Sequence, residues 1–272
     1  LKDKSARPLM KAYQKPGFQP QENITVYSLP PVLPFFNKSR AINRLNQRRM
    51  ARYVCEKMKE HGFEKPILWV YSPVTVDAVD LIPHSALVYD CVDRHSAYGG
   101  LMNPAQVDAE ELELAAKCSA VFATAAPLAD RLRAANEKTW FIPNGANFER
   151  FFRASQKLDA PEDMKDIPHP IFGFVGALQP CIEYGFTADA AKAHPEWSFV
   201  WIGGEKPGAD LAELKTLPNV HFLGIRPNEQ LPEYLAQFDV CLNLFAKSDL
   251  SKDVSPLKFF EYLSTCKPIV ST

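Results

Sequence analysis

Short, nearly continuous apolar runs alternate with amphipathic stretches along most of the chain. The predicted strands lie at 67–71, 86–93, 120–124, 140–143, 171–176, 198–204, 220–224, 240–244 and 268–270. Runs without polar alternation are typical of parallel strands that are covered on both faces. The stretches between them predict helices at 104–117, 126–135, 183–193, 229–238 and 256–266. This alternation predicts an α/β protein built from two Rossmann-like, doubly wound domains.

A charged, proline-bearing segment separates the two series. Residues 151–168 contain few large apolar side chains, so we predict a linker there. The first domain then occupies 1–150 and the second 169–272. Because a parallel strand is normally followed by another crossover, we expect the second domain to be incomplete at its end. We likewise expect the first domain to be incomplete at its start.

Ligands of such folds bind beyond the carboxyl ends of the parallel strands. We therefore expect the loops that follow the second-domain strands to open onto one cleft. These loops should face the first-domain loops that follow Tyr71 and Asp93.

Composition excludes several classes of protein. The chain has 272 residues, of which 46% are apolar and 23% charged, and its net charge of −1 argues against nucleic acid as a partner. Its six cysteines are scattered without paired spacing, which predicts reduced thiols and a cytoplasmic protein. No histidine or cysteine sits at a ligand spacing, so we expect no metal. No apolar run reaches the ~18 residues that span a bilayer.

One predicted helix is strongly basic. Residues 38–59 contain eight Lys or Arg side chains against one acid, Glu56. A solvated helix face explains this composition. The alternative is peripheral contact with the inner face of the cell membrane, worth about 1 kcal/mol per basic residue near anionic lipid.

The segment 253–263 carries the most informative chemistry. Ser255 is a good N-cap and Pro256 suits the first helical position, so we predict a helix that starts there. Its first turn offers free N–H groups and a partial positive charge, which favour a phosphate. Lys258 adds a full charge, and Glu261 lies on the same face, where it can accept hydrogen bonds from a sugar diol. The alternative is a solvated Lys258–Glu261 pair.

Other candidate residues lie at the ends of predicted strands. Gly176 and Gly204 allow a close approach of backbone to phosphate, although each also suits a plain turn. Asp90, Asp93 and His95 follow a first-domain strand, where they could contact a sugar or serve the fold.

The sequence resembles the retaining GT-B glycosyltransferases of family 4, in particular the branch of teichuronic-acid and other cell-surface polysaccharide transferases. The matching pieces are 69–73, 88–93, 142–148, 174–178, 222–224 and 255–263. The resemblance implies that Glu261 holds the ribose of a nucleotide sugar, that Asp253 approaches the donor sugar, and that His95 contacts it from the opposite domain. It also implies that Ser255, Pro256 and Leu257 lie along the phosphates.

Two departures from the family pattern bear on activity. The segment 177–183 lacks the Arg and Lys that usually neutralise the diphosphate, which leaves that role to Lys258, or else to Lys247 or Lys252. Asp253 stands where the family has a glutamate, and is shorter by one methylene.

The sequence thus predicts a retaining transferase that moves a sugar from a nucleotide sugar to a saccharide or lipid-linked acceptor in cell-surface polysaccharide biosynthesis. We expect this transferase to require neither a cofactor nor a metal. The alternative is a catalytically silent nucleotide-sugar-binding or scaffold protein with the same fold. An NAD-dependent oxidoreductase is disfavoured, because no strand is followed by G-x-G-x-x-G.

Overall fold

The computed structural model describes residues 17–36, 38–97, 103–247 and 253–272. The chain divides after Ile142 into two compact units, the second of which is Pro143–Thr272. Each unit contains its own parallel sheet. The predicted α/β class with Rossmann-like sheets is therefore confirmed.

The first unit is built on four parallel strands that neighbour one another in chain order. They are β3 (Ile67–Val70), β4 (Ala86–Cys91), β5 (Ala120–Ala123) and β6 (Thr139–Phe141). Its helices are α1 (Arg40–Glu60), α2 (Val76–Val79), α3 (Pro104–Lys117) and α4 (Ala126–Arg133). Tyr89, Val121 and Leu132, all fully buried, belong to the core that the sheet forms with its helices. Each predicted strand of this unit is thus present, with ends shifted by a few residues.

An antiparallel hairpin precedes this sheet. It pairs β1 (Phe18–Gln21) with β2 (Ile24–Val26). Every residue of β1 is exposed. No face of this strand is buried, and Pro20 within it argues against a strand.

The second unit has five parallel strands: β7 (Ile171–Val175), β8 (Ser198–Ile202), β9 (Val220–Gly224), β10 (Val240–Asn243) and β11 (Ile269–Ser271). Their order is β11-β10-β7-β8-β9. The chain steps outward from β7 to β9 and then returns to the other side of β7. This reversal creates a topological switch point between β7 and β10, where ligands of open α/β sheets bind.

The helices of the second unit cover both faces of its sheet. They are α5 (Phe148–Phe152), α6 (Gly185–Ala193), α7 (Leu231–Gln237) and α8 (Leu257–Ser264). Buried Phe238 and Tyr262 belong to one core layer, and buried Phe174 and Trp201 to the other.

The predicted linker is part of the second unit. Phe151, Ala154, Met164 and Ile167 pack into the core layer that contains Tyr262. Asn147 caps α5 by accepting a hydrogen bond from the Arg150 N–H at 3.0 Å. The unit boundary therefore falls after Ile142 rather than near 150. The sequence misplaces it because the apolar residues of this segment are few and widely spaced, although each is buried.

Candidate functional site

Two glycines bring the ends of β7 and β8 into close contact. The Gly176 N–H donates to the Ile202 carbonyl at 2.8 Å. A Cβ on Gly203 would lie 1.8 Å from the Gly176 carbonyl oxygen, and Gly203 has a φ of 152°. No other residue type fits at 203. At the carboxyl end of β7, the backbone therefore lies directly against the end of β8, and the two glycines place no side chain over it.

Helix α8 starts beside this strand end, but one residue later than predicted. Pro256, with ψ 122°, is its N-cap and Leu257 its first residue, so the expected N-cap role of Ser255 is wrong. The extended ψ of Pro256 keeps it outside the helix. The N-cap residue Pro256 makes no side-chain capping hydrogen bond, and the Phe259 N–H bonds to the Pro256 carbonyl at 3.1 Å. Helix geometry gives the N–H groups before Phe259 no carbonyl of a preceding turn, so they can be offered to a ligand.

Lys258 points from this first turn to the end of β7. Its Nζ lies 4.0 Å from the centre of the Phe174 ring and 5.2 Å from that of Phe245. A Cβ on Gly176 would lie 2.9 Å from the same nitrogen. Phe174 belongs to β7 and Phe245 follows β10, so the ammonium group lies at the topological switch point.

The electrostatics of Lys258 and Glu261 reflect their burial. Burial lowers the pKa of Lys258 to about 8, opposed by Cys181 and Glu261. Burial also raises the pKa of Glu261, opposed by Lys258 and Arg150. Both side chains are partly buried. Among the residues that the structure describes, no carboxylate lies within ion-pair distance of Lys258. The two residues therefore do not form the solvated ion pair considered from the sequence.

Tyr262 fixes α8 against β7. It is fully buried, and its hydroxyl accepts a hydrogen bond from the Val175 N–H at 2.7 Å. Val175 directly precedes Gly176. The helix that carries Lys258 and Glu261 is thus tied to the strand end that faces Lys258. Nothing in the sequence signals this tie beyond the apolar side of the predicted helix.

Three remaining second-unit candidates lie in turns or loops that the structure describes. Asp253 is buried, with 8% of its surface exposed, and lies in the turn before Ser255. The Gly204 carbonyl accepts a hydrogen bond from the Leu178 N–H at 2.9 Å. Lys247 is exposed, and Lys252 lies outside the described residues.

The first-unit candidates group at the carboxyl end of β4. Asp90 accepts a hydrogen bond from the Trp69 indole at 3.2 Å, which gives its carboxylate a structural contact. Asp93 follows the strand, and His95 begins a short 3₁₀ turn. Their roles toward a sugar stay predictions.

A buried carboxylate beneath this loop was not predicted. Glu111 on α3 is fully buried and accepts hydrogen bonds from the Tyr89 hydroxyl and the Cys91 thiol, and from Arg131. Burial and this carboxylate raise the pKa values of Tyr89 and Cys91. The sequence offers no signal for Glu111, because acids on a predicted helix normally face solvent.

Comparison with known proteins shows what the chain is similar to. Residues 169–272 match the family described as glycosyl transferases group 1. A curated relative, named as a teichuronic acid biosynthesis glycosyltransferase of Bacillus subtilis (strain 168), is 26% identical over 222 residues. That match covers 77% of this chain and 56% of the relative, so the chain spans little more than half of its length.

Solved glycosyltransferase structures share the fold. Sucrose-phosphate synthase from Thermosynechococcus elongatus aligns with a TM-score of 0.69 and 15% identity, over 95% of this chain and 68% of that one. Anabaena HepE, in complex with UDP, aligns with a TM-score of 0.61 and 18% identity, over 84% of this chain and 64% of that one. The expected resemblance to GT-B glycosyltransferases is confirmed.

The described residues contain no cluster of three or more His, Cys, Asp or Glu side chains that could hold a metal ion. Within the same ranges, no helix combines the length and hydrophobicity that crossing a bilayer needs.

Proposed function

We propose that this protein is a glycosyltransferase that moves a sugar from a nucleotide-sugar donor to a saccharide or lipid-linked acceptor. One observation carries the proposal. The Lys258 ammonium lies at the switch point of the second sheet, beside Gly176, and Glu261 follows one turn later on the same helix. A cation next to free helix N–H groups suits a diphosphate, and a carboxylate one turn away suits a ribose.

The proposed reaction requires stabilisation of the negative charge that develops where the donor's sugar–diphosphate bond breaks. As the bond between the sugar and the diphosphate oxygen breaks, negative charge grows on the departing nucleoside diphosphate. The ammonium of Lys258 and the first-turn N–H groups of α8 stabilise that charge without rearranging. Since the two groups supply positive charge themselves, we propose a reaction that needs no metal.

The finer features of the proposal rest on relatives. The Bacillus subtilis protein is named for teichuronic acid biosynthesis, which supports a role in cell-surface polysaccharide synthesis. Anabaena HepE was crystallised with UDP and with UDP-glucose, which makes UDP sugars the first donors to test. Retention of the anomeric configuration and the contacts of His95 and Asp253 with the donor sugar belong to the same proposal.

A panel of UDP, GDP and ADP sugars tests the function. Incubation with saccharide and lipid-linked acceptors should release the nucleoside diphosphate and form a glycoside whose anomeric configuration, read by NMR, matches the donor. Binding of a donor without release or transfer would overturn the enzyme proposal. It would favour the silent binding protein, for which the absence of Arg and Lys at 177–183 is the motivating observation.

We also propose peripheral contact with anionic lipid through α1. Arg40, Arg44 and Lys57 form ion pairs with neighbouring acids. The other basic residues of 38–59 are exposed and have no ion-pair partner among the described residues: Lys38, Arg48, Arg49, Arg52 and Lys59. The chain should sediment with vesicles containing phosphatidylglycerol but not with phosphatidylcholine alone. Equal sedimentation with both would contradict this contact.

A further inference from the structure

Asn144 contacts the entrance of α8 from a distant part of the sequence. Its side-chain Nδ2 donates a hydrogen bond to the Ser255 carbonyl at 2.6 Å, across 111 positions. Both residues belong to the second unit. Ser255 lies two residues before Leu257, the first residue of α8. The bond therefore fixes the chain just before the helical turn that carries Lys258.

This contact holds the start of a helix whose N-cap residue cannot do so with its own side chain. The N-cap of α8 is Pro256, which makes no side-chain capping hydrogen bond. Farther along the helix, the Tyr262 hydroxyl ties it to Val175. Asn144 is a second tie, and it acts at the N-terminal end of the helix.

We infer that Asn144 is a positioning residue for a nucleoside diphosphate, acting through the Ser255 backbone to aim the first turn of α8 at the phosphates. The inference rests on the proposed function and deepens it. Backbone N–H groups bind an oxyanion well only when they point at it, because a hydrogen bond weakens steeply as its angle closes. A carboxamide also suits this place, since it donates to the carbonyl without adding negative charge beside the phosphates.

The same segment supports the ribose side of the site. Arg150 lies on α5, which begins four residues after Asn144, and its positive charge opposes the rise in the pKa of Glu261. Segment 144–150 therefore bears on α8 at two places. The Asn144 tie acts on the phosphate end, and it should affect a diphosphate more than a nucleoside.

Calorimetric titration of the whole chain tests the inference. UDP, GDP and ADP are titrated first into the unmodified protein, and the matching nucleoside is titrated in parallel with whichever diphosphate binds. Asn144→Ala should weaken diphosphate binding about tenfold, the effect of one well-placed hydrogen bond. Nucleoside affinity should change by less than about twofold, because the nucleoside makes no phosphate contact. Asn144→Asp, which keeps the shape but loses the donor and adds a charge, should weaken diphosphate binding further.

Asn147→Ala is the matched control. This asparagine belongs to the same segment but caps α5 and makes no bond to Ser255. It should leave the ratio of diphosphate to nucleoside affinity unchanged. Equal loss of diphosphate affinity in Asn144→Ala and Asn147→Ala would overturn the positioning role, as would an Asn144→Asp variant that binds like the unmodified chain. If the unmodified chain binds none of the three diphosphates, the proposed function itself fails.

Discussion

The Lys258 ammonium lies 4.0 Å from the centre of the Phe174 ring, at the carboxyl end of the strand on which the second sheet reverses its order. The contact places a cation over the negative face of an aromatic ring, in a half-buried site. An ammonium group in such a place is costly to desolvate. A cation held there, with no carboxylate of the described residues within ion-pair distance, suits an anionic ligand that arrives from solution.

Replacing Lys258 by methionine separates stability from binding. Lys258→Met removes a partly buried charge, and its thioether can fill the same space against Phe174. The unliganded chain should become more stable to urea by about 1 kcal/mol, since the lost cation–π contact offsets part of the gain. Affinity for the nucleoside diphosphate should fall by about 10- to 100-fold, because a charge-assisted hydrogen bond is lost. A variant that is destabilised yet binds normally would make Lys258 a purely structural residue.

The lowered pKa of Lys258 makes binding depend on pH. With a pKa of about 8, the side chain loses its proton as the pH rises through that value, and its attraction for phosphate falls. Affinity for a diphosphate should therefore decrease from about pH 7 to about pH 9, a range that lies above the second phosphate pKa of about 6, so that the charge of the ligand changes little. Lys258→Arg should remove the dependence, because a guanidinium stays charged. The matching nucleoside, titrated over the same range, corrects for ionisation of the base. A pH profile shared by the Lys and Arg proteins would contradict the assignment.

Glu261 should recognise the ribose hydroxyls. Glu261→Ala should weaken binding of the ribonucleoside diphosphate strongly, by about 10- to 100-fold, since hydrogen bonds to a carboxylate are lost. The 2′-deoxy nucleotide should bind the unmodified chain more weakly than the ribonucleotide. In Glu261→Ala that difference should vanish, as measured by paired titrations. Unchanged donor affinity in this variant would remove the assignment.

The tie between Tyr262 and Val175 should contribute to stability. Tyr262→Phe leaves the buried Val175 N–H without its 2.7 Å partner. The free energy of unfolding should fall by about 1–3 kcal/mol, the cost of an unsatisfied buried donor. Urea denaturation followed by Trp fluorescence measures it. Tyr27→Phe is a suitable control, because the Tyr27 hydroxyl bonds His61 at an exposed position. Equal losses of unfolding free energy in both variants would show that the Tyr262–Val175 bond contributes no more to stability than an exposed hydrogen bond.

Much of the fold follows from local sequence. The parallel strands are continuous apolar runs, so periodicity alone finds them, and Lys258 and Glu261 stand out through the proline, lysine and glutamate that open one helix. Strand β1 is not predicted, because all of its residues are exposed and no buried face marks it in the hydrophobic pattern. The start of α8 shifts because the ψ of Pro256 is extended, a feature that composition does not encode.

The contacts that complete the site are long-range. Phe174 and Phe245 look like ordinary apolar residues of two strands, and only the switch in strand order brings both to Lys258. The Asn144 turn resembles any Asn-Gly turn until Ser255 is placed beside it. Sequence patterns report periodicity along the chain, whereas these contacts arise from tertiary packing.

The central claim is that a diphosphate binds at the start of α8, against Lys258. A crystal structure of this chain grown with UDP, GDP or ADP tests it most directly. A phosphate oxygen should lie about 3 Å from the Lys258 Nζ, the distance of a charge-assisted hydrogen bond. The ribose hydroxyls should contact the Glu261 carboxylate. A nucleotide bound elsewhere, with the Lys258 ammonium still seated on Phe174 and far from any phosphate, would contradict the account.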